Sequence, residues 1–489
     1  MTTDAIDEPL LKPGRNCWRI EHVDRFALIV DAADYFVAAK EAILAARHSV
    51  YLIGWDFDTR MTFEPEEKTL EGPNKLGPFL RWLDKHRPEV EVHVLKWDVG
   101  ALMAIGRGTT PLAILDWMTS RRIHFKLDGA HPTSAAHHQK IVVIDDKLAF
   151  CGGIDMTTDR WDTRDHIDKD PRRRRPTGRR YGPWHDATAV VDGKAAKALG
   201  ELVRARWTIA AGETIEPPPE REAFWPARIE PTFTDIDVAI ARTAPEYGER
   251  AEIREIEALY LDAIAAARRM IYCESQYFAS RRIAEAIAAR LGEADGPDVV
   301  IVNPESADGF LETITMDTAR ARLLALVKAA DVHNRFRIYS PVTAAGEPIY
   351  VHAKILVVDD WLLRIGSSNL NNRSMGFDTE CDLIIEAGKD ETAEAMRQRI
   401  GAIRNDLLAE HLGVGIEAVE TALLTHDGSL SKAIDSLVGR GRSLVPYEPE
   451  EIAIFEEPFA ENELLDPERP PSLKKKLLGM LSLHPAPVR

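Results

Sequence analysis

The sequence predicts an α/β protein made of two pseudo-symmetric α/β/α halves, with mixed β-sheets packed face to face. A pattern at 137–146 (HHQKIVVIDD) returns at 351–360 (VHAKILVVDD), with basic, apolar and acidic residues in the same order. Strand-like and helix-like segments alternate around both copies. Because such alternation is typical of helices that cover a mixed sheet, a duplicated α/β unit explains both observations.

The first half contains a strand, a helix and a further strand before its copy of the pattern. Residues 48–58 (HSVYLIGWDFD) are apolar and aromatic, which predicts a buried strand. Residues 75–86 (KLGPFLRWLDKH) have helical spacing of apolar side chains, and residues 90–97 (VEVHVLKW) are rich in β-forming residues. These elements would form one side of the predicted sheet.

The second half repeats this order. Residues 269–279 (RMIYCESQYFA) match the first strand, 280–292 (SRRIAEAIAARLG) predict the helix, and 298–304 (DVVIVNP) predict the next strand. Landmarks in the two halves therefore keep their order and nearly keep their spacing, as expected of a duplication.

Four units follow from these patterns: an amino-terminal half over 1–215, a linker over 216–239, a carboxy-terminal half over 240–405 and an extension over 406–489. The linker prediction rests on the proline and charge density of 213–233 (ETIEPPPEREAFWPARIEPTF).

Composition restricts the class of protein. A chain of 489 residues with 45% hydrophobic residues is sufficient for two buried cores. A net charge of −17 disfavours a surface that tracks nucleic acid, so nucleic acid is not the expected partner. There is no run of about 18 apolar residues, so we expect only peripheral membrane contact. No signal peptide is legible, which makes a cytoplasmic location the default and leaves signal-independent export open. The oligomeric state stays open.

The duplicated pattern places two basic side chains together in each half. Side chains alternate along a strand, so His138 and Lys140 should share a face, as should His352 and Lys354. Two such pairs brought together by pseudo-symmetry would suit a negatively charged phosphate. A single triplet of this kind on a strand is usually surface decoration.

Duplication favours the functional interpretation over surface decoration. Each triplet continues through four apolar residues to an aspartate, Asp145 or Asp359, and small-residue turns follow in both halves. Strand alternation puts these aspartates on the face opposite the lysines, so we interpret them as structural groups that hold neighbouring loops.

Both copies match the HxKxxxxD motif, and the chain resembles the phospholipase D superfamily. The resemblance extends to 271–278 (IYCESQYF), 182–193 (GPWHDATAVVDG) and 376–385 (GFDTECDLII), which are similar to the eukaryotic and plant branch. It implies a phosphodiesterase in which one histidine forms a covalent phosphohistidine and the other acts as acid and base. The resemblance favours His138 as nucleophile and His352 as acid and base, although the sequence does not distinguish them.

The resemblance also implies roles for other polar residues. Lys140 and Lys354 should hold phosphate oxygens, and Asn369 and Asp155 match the family position near the phosphate. Asp155 departs from the usual asparagine, and its carboxylate should be protonated, turned aside or paired with a lysine.

Further candidates flank these positions. Ser368 and His185 are candidate substrate contacts, whereas His137 should face away from the motif and serve packing or surface. Asp186 and Glu380 are the expected carboxylate partners of the histidines, and the resemblance implies that they pair across the pseudo-dyad, Glu380 with His138 and Asp186 with His352.

No cofactor or metal is expected, because no acidic or histidine cluster shows metal-ligand spacing along the sequence, and activity should survive a chelator. The arginine-rich segment 159–182 predicts either a solvated loop or a basic lip that attracts phosphate.

The leading interpretation is an enzyme that hydrolyses glycerophospholipids at a membrane surface to phosphatidic acid and transfers the phosphatidyl group to alcohols. The alternatives are a phosphatidyltransferase of the cardiolipin synthase kind and a nuclease. A lipid-binding scaffold without activity is a further class, against which the two intact motifs argue.

Overall fold

The structure is a computed structural model that describes residues 8–98, 117, 119–307, 316–388 and 392–448. Within these ranges, no helix is both long enough and apolar enough to cross a bilayer. The part of the predicted extension beyond residue 448 lies outside the described residues.

The first half follows the predicted order of strands and helices. Its elements are β1 (Arg19–Val30), α1 (Ala32–Ala45), β2 (Ser49–Gly54), α2 (Leu76–His86), β3 (Glu91–Trp97), β4 (Ile123–Asp128), β5 (Ile141–Ile144), β6 (Leu148–Gly152), β7 (Trp184–His185), β8 (Ala187–Asp192) and α3 (Gly193–Ala211).

The second half repeats this order and continues into a helical extension. Its elements are β9 (Phe233–Ala244), β10 (Ile253–Arg254), α4 (Glu255–Ala266), β11 (Met270–Glu274), α5 (Arg281–Leu291), β12 (Asp298–Val302), α6 (Thr318–Ala330), β13 (Phe336–Val342), β14 (Tyr350–Val351), β15 (Ile355–Val358), β16 (Leu362–Gly366), α7 (Asn372–Gly376), β17 (Glu380–Glu386), α8 (Ala393–Leu412), α9 (Ile416–Thr425), α10 (Leu430–Leu437) and β18 (Ser443–Pro446).

The two halves have matching sheet orders, which confirms the predicted α/β class with a large mixed sheet. The first half runs β1-β8-β6-β5-β2-β3-β4, and the second runs β9-β17-β16-β15-β11-β12-β13-β18. In addition, β1 and β9 pair antiparallel, which joins the two sheets edge to edge. Strands β6 and β8 also contact β16 and β17, so the halves meet at the centre of the molecule.

The strands at the centre of each half are apolar because both of their faces are covered. Every residue of β2 and of β11 is buried. Their partners β5 and β15 are short runs of valine, isoleucine and leucine that are also fully buried. The apolar half of each duplicated motif therefore anchors it in the core, and its polar end emerges at the junction between the halves.

Two of the predicted domain boundaries, at residues 239 and 405, fall inside a continuous strand or helix. Residues 216–232 contain neither helix nor strand, but 233–239 of the predicted linker already belong to β9. Helix α8 crosses the predicted boundary at residue 405 and packs against the second half. The extension therefore begins as a continuation of the second core.

The aspartates that close the two motifs hold loops, as predicted. The carboxylate of Asp145 accepts hydrogen bonds from the backbone N–H groups of Arg47, His48 and Ser49, at 2.7–2.8 Å. Asp359 accepts from three consecutive N–H groups at 268–270, at 2.6–2.8 Å. Each aspartate thus fixes the turn that enters the central strand of its own half.

Replacing Asp145 with alanine should lower the free energy of unfolding by about 2–4 kcal/mol, because three N–H donors lose a charged acceptor. Denaturant unfolding followed by far-UV circular dichroism measures this. Asp359→Ala is the matched variant and should lose a similar amount. A change below about 1 kcal/mol in both variants would contradict the structural role.

Candidate active site

The two histidine-lysine triplets lie in extended chain immediately before a strand. His138 and Lys140 precede β5, and His352 and Lys354 precede β15. The sequence placed them inside strands, and the structure shifts them to the entry segment. The backbone of these four residues remains close to the core, and their imidazole and amino groups reach the junction between the halves.

Backbone pairing across the junction positions both histidines. The N–H of His138 donates to the carbonyl of Thr379, at 3.1 Å, and the N–H of His352 donates to the carbonyl of His185, at 2.7 Å. In each case the partner residue immediately precedes a carboxylate, Glu380 or Asp186. Each half therefore aligns its histidine with an acid of the other half.

The predicted pairs across the pseudo-dyad are both present. The Nδ1–H of His138 donates to Glu380 at 2.9 Å, and that of His352 donates to Asp186 at 2.7 Å. Both carboxylates are fully buried, whereas the side chain of His138 keeps 16% of its surface exposed. Because Nδ1 is occupied, each imidazole has Nε2 for chemistry.

The two lysines are held differently. The ammonium of Lys140 lies 3.1 Å from the carboxylate of Asp155, which is the pairing that the sequence left as one of three possibilities. Lys354 has no carboxylate within ion-pair distance among the described residues, and its Nζ donates to the carbonyl of His352. Lys140 is therefore paired with a carboxylate of its own half, whereas the amino group of Lys354 is left to meet an anion.

Burial sets the protonation of the histidine-carboxylate pairs. Burial lowers the pKa of His138 and of His352 well below the usual value, and the neighbouring lysines lower both further. Burial raises the pKa of Glu380 to about 7 and also raises that of Asp186. Both imidazoles are therefore neutral near pH 7, as a nucleophile requires.

Lys354 has a pKa in the same range. Burial lowers the pKa of its ammonium to about 7, and the positive charge of Lys140 contributes, while Asp186 and Glu380 act in the opposite direction. An anion beside Lys354 would raise this pKa again, so the empty site and the loaded site should differ in charge.

Two hydroxyls that sequence reasoning missed support Glu380. Ser374 donates to Oε1 at 2.7 Å, and Ser367 donates to Oε2. Ser367 follows the glycine that ends β16, and its counterpart in the first half is Gly153. A Cβ at Gly153 would lie 2.1 Å from Asp186, so only glycine lets that carboxylate approach. The small-residue turns were the signal in the sequence.

Ser368 was predicted to contact substrate, and this prediction is wrong. Its hydroxyl is fully buried, donates to Asp382 at 2.7 Å and accepts from Arg364. It points into the core because consecutive residues of the turn alternate in direction. The Oδ1 of Asn369 is buried without a hydrogen-bond partner, and the contact of this residue with the phosphate stays a prediction.

His185 and His137 also point away from the junction. His185 is fully buried and donates to Glu274 at 2.8 Å, which excludes the substrate contact that the sequence suggested. It lies next to Asp186 in extended chain, so the two side chains point in opposite directions. His137 is buried, with its Nδ1 3.0 Å from the carboxylate of Asp128. Of the two roles predicted for it, packing is therefore confirmed and a surface position is wrong.

Four buried side chains from distant parts of the sequence could hold a divalent cation: Asp31, His166, His185 and Glu410. The histidine nitrogens lie 2.9–3.6 Å from the carboxylate oxygens. Ligands about 2.0–2.1 Å from a tetrahedral ion are separated by about 3.3 Å, so the spacing fits. Sequence reasoning missed this cluster, because its members lie far apart in the chain and share no local spacing.

Two further carboxylates form hydrogen bonds with the histidines of this cluster, as is common for histidines that bind a metal. His166 donates through Nδ1 to Asp162 at 3.0 Å, and Glu274 holds the other nitrogen of His185. Burial alone would lower the pKa of His166, but Asp31 and the neighbouring acids raise it to about 9. A protonated His166 can therefore also balance the buried acids. Prolonged chelation is thus the direct check on the predicted metal independence.

The arginine-rich segment is mostly folded and ion-paired. Arg173 is buried against Asp162 at 3.0 Å, and Arg175 meets Asp159 at 2.8 Å. Arg179 and Arg180 are exposed. The segment thus contains arginines that are paired with acids and arginines that are exposed. It therefore matches neither the solvated loop nor the basic lip in full.

The sequence is similar to one protein family and to curated proteins that are named phospholipase D. Residues 260–403 match the family described as cardiolipin synthase, PLD-like domain. The chain is 25% identical to phospholipase D A of Dictyostelium discoideum over 79% of its length, and 25% identical to phospholipase D alpha 4 of Arabidopsis thaliana over 77%. These alignments span 35% and 63% of the two relatives.

The fold resembles a solved structure as well. It matches the crystal structure of phosphatidylserine synthase from Haemophilus influenzae Rd KW20 with a TM-score of 0.52, at 13% identity. The match covers 78% of this chain and 88% of that one, so the likeness includes both halves.

Replacing Ser367 with alanine should raise the pKa of Glu380 above about 7, because the ionised carboxylate loses one of its two hydroxyl donors. Carboxyl-carbon NMR titration measures this, with Glu380→Gln to assign the resonance. Ser368→Ala is the control, since its hydroxyl bonds Asp382. An unchanged Glu380 titration in the Ser367 variant would contradict the assignment.

Proposed function

Because the chain belongs to the phospholipase D superfamily, we propose that it cleaves glycerophospholipids to phosphatidic acid and a free headgroup alcohol, and that it transfers the phosphatidyl group to other alcohols. The observation that supports this most directly is the pair of histidines, each held by a buried carboxylate of the opposite half beside a lysine. The superfamily acts on phosphodiesters, and the lipid substrate is the finer proposal.

In the first step, Nε2 of His138 attacks phosphorus while the bond from phosphorus to the headgroup oxygen breaks. The bound phosphodiester anion raises the pKa of His352, which then carries a proton on Nε2 and gives it to the departing alkoxide, so the products are a free alcohol and a phosphatidyl-histidine. Glu380 stabilises the positive charge that develops on the attacking imidazole. Lys140 and Lys354 stay close to the oxygens that do not leave.

In the second step, the now neutral His352 takes a proton from water or from an acceptor alcohol, and the resulting nucleophile attacks phosphorus. The bond between phosphorus and His138 breaks, and the enzyme returns to its starting state. Water gives phosphatidic acid, whereas an alcohol gives a new phosphodiester. Division of the displacement into two steps lets one site perform hydrolysis and transfer.

The asymmetry of the two halves favours this division of roles. His138 keeps more of its surface exposed than His352, as an attacking group needs. His352 lies against the ring of Trp184, with the ring centroids 5.3 Å apart, in a more enclosed setting suited to directed proton transfer. This supports His138 as the nucleophile.

A phosphatidyltransferase of the cardiolipin synthase kind is the second candidate, and the description of the family matched at 260–403 favours it. It differs from the first only in the acceptor, which would be a lipid alcohol in place of water. A nuclease ranks third, because the net charge of −17 opposes a long polyanion.

Purified protein incubated with mixed phospholipid vesicles and ethanol should produce phosphatidylethanol, detected by mass spectrometry. His138→Asn and His352→Asn should each lower the rate at least about 1000-fold. Added phosphatidylglycerol yielding cardiolipin faster than phosphatidic acid would favour the second candidate. No lipid product from folded protein would remove both, and single-stranded DNA would then be the next substrate.

A phosphatidyl ester of nitrophenol should separate the two histidines, because this leaving group needs no proton. His352→Asn should release one equivalent of nitrophenolate in a burst and retain a phosphatidyl group on the protein. His138→Asn should release none. The reverse pattern would assign the nucleophile to His352.

The pH profile of kcat/KM should be bell-shaped with its maximum near pH 7. Below about pH 7 Glu380 is protonated and supports the His138 cation poorly, and above about pH 7 Lys354 loses its charge. Initial rates measured from about pH 5 to about pH 9 give this profile. The residual activity of Glu380→Gln should lack the acidic limb, and a retained limb would assign it to another group.

A further inference from the structure

An aromatic pair lies directly beside His352. Strands β7 and β14, one from each half, pair in parallel and bring Trp184 opposite Tyr350. Their rings stack with centroids 4.5 Å apart and an angle of 20°. The ring of Trp184 is also 5.3 Å from the imidazole of His352. Under the proposed roles, this is the side of the site where the headgroup alcohol departs.

The face of Trp184 is covered by a guanidinium. The central carbon of Arg160 lies 4.1 Å from the centroid of the Trp184 ring, which is close for a cation on an aromatic face. Its positive charge reaches the motif of the second half, since it lowers the pKa of both His352 and Lys354. Arg160 is therefore part of the surroundings of the acid-base histidine.

Arg160 differs from the four ion-paired arginines of its segment. Arg164, Arg172, Arg173 and Arg175 each form ion pairs with carboxylates. For Arg160, the described part of the chain offers no carboxylate within ion-pair distance, and its one hydrogen bond is a long contact of 3.4 Å from Nη1 to a backbone carbonyl. Its charge lies on the indole and acts on Asp56 and Asp186 over a longer distance, but neither of these carboxylates forms an ion pair with it.

Two N–H donors at this place lack acceptors. Nε of Arg160 is buried without a hydrogen-bond partner, and so is Nε1 of the Trp184 indole. A buried N–H donor without an acceptor destabilises the protein, so an acceptor that reaches it is favoured. An uncompensated guanidinium and an unpaired indole N–H together form a site for an oxygen-bearing anion.

We propose that Arg160 and Trp184 form a headgroup site for a second negative group, a phosphate or a carboxylate, on the alcohol part of the substrate. The inference rests on the proposed phosphodiesterase function and specifies its substrate class. The scissile phosphate lies between the histidines and is met by Lys354, so Arg160 meets a charge on the headgroup beyond it.

The same arrangement disfavours a choline headgroup. Quaternary ammonium groups are bound by open aromatic faces, and here the face of Trp184 already carries a cation. A second cation beside Arg160 would meet repulsion from it. The site therefore selects against zwitterionic choline lipids and for lipids with an anionic headgroup.

The test uses dihexanoyl lipids at monomeric concentrations, which removes attraction to a charged membrane surface. Phosphatidylglycerol phosphate and phosphatidylglycerol differ only by the additional phosphate, and phosphatidylcholine supplies the cationic headgroup. We expect kcat/KM to be about 10- to 100-fold higher for phosphatidylglycerol phosphate than for phosphatidylglycerol, with phosphatidylcholine the slowest.

Arg160→Gln should abolish this preference by lowering kcat/KM for phosphatidylglycerol phosphate at least about tenfold more than kcat/KM for phosphatidylglycerol, and Arg160→Lys should retain part of the preference. Arg180→Gln is the control, since it removes an exposed charge of the same segment and should change neither rate. An equal loss on every lipid in Arg160→Gln would place Arg160 at the scissile phosphate and overturn the inference. A wild type that is active without preference would overturn it as well.

A binding measurement keeps the two proposals separable. Glycerol 3-phosphate, titrated by calorimetry, should bind the wild type at least about tenfold more tightly than Arg160→Gln. Binding of this probe without cleavage of any lipid would refute the proposed function and leave the anion site standing. Cleavage without any difference in binding would refute the anion site alone.

Discussion

The site depends on backbone pairing between the two halves. One bridge joins His137 to Thr379, and the parallel pair of β7 and β14 joins Val351 to His185. Each bridge places a histidine next to a carboxylate of the opposite half, so neither half contains a complete pair by itself. Because backbone hydrogen bonds fix the register, the imidazole-carboxylate distances follow from the fold and do not depend on mobile side chains.

Burial of this junction determines its chemistry. The carboxylates and ammonium groups that meet there are removed from water, so their pKa values move towards neutrality, to about 7 for both Glu380 and Lys354. Hydroxyls and backbone amides stabilise the charges that remain. A protein of net charge −17 thus gathers basic side chains at one junction, while acids pair with Arg164, Arg172, Arg173 and Arg175 nearby in the chain.

Pseudo-symmetry is broken where the two histidines need different surroundings. Lys140 has its own carboxylate in Asp155, whereas the matching position in the half of Lys354 is Asn369. Glu380 is held by two hydroxyls, and Asp186 is approached closely by Gly153. Beside His352 the aromatic pair and Arg160 have been added, with no aromatic contact of that kind for His138 among the described residues. Duplication supplied two equal halves, and local substitutions made them unequal.

The sequence determined the α/β class, the duplication, the paired histidines and lysines and the loop-holding aspartates, because each of these follows from local periodicity or from a repeated motif. The crossed carboxylates followed from the resemblance to the phospholipase D superfamily. It could not place Ser367, Ser374 and Arg160 at the site, or turn Ser368 and His185 away from it. The buried cluster of Asp31, His166, His185 and Glu410 was also beyond it. These depend on which strands become neighbours, since contacts between residues far apart in the chain carry no spacing that a single sequence can reveal. Only the tertiary structure decided them, through the pairing of β7 with β14 and the packing of α8 against the core.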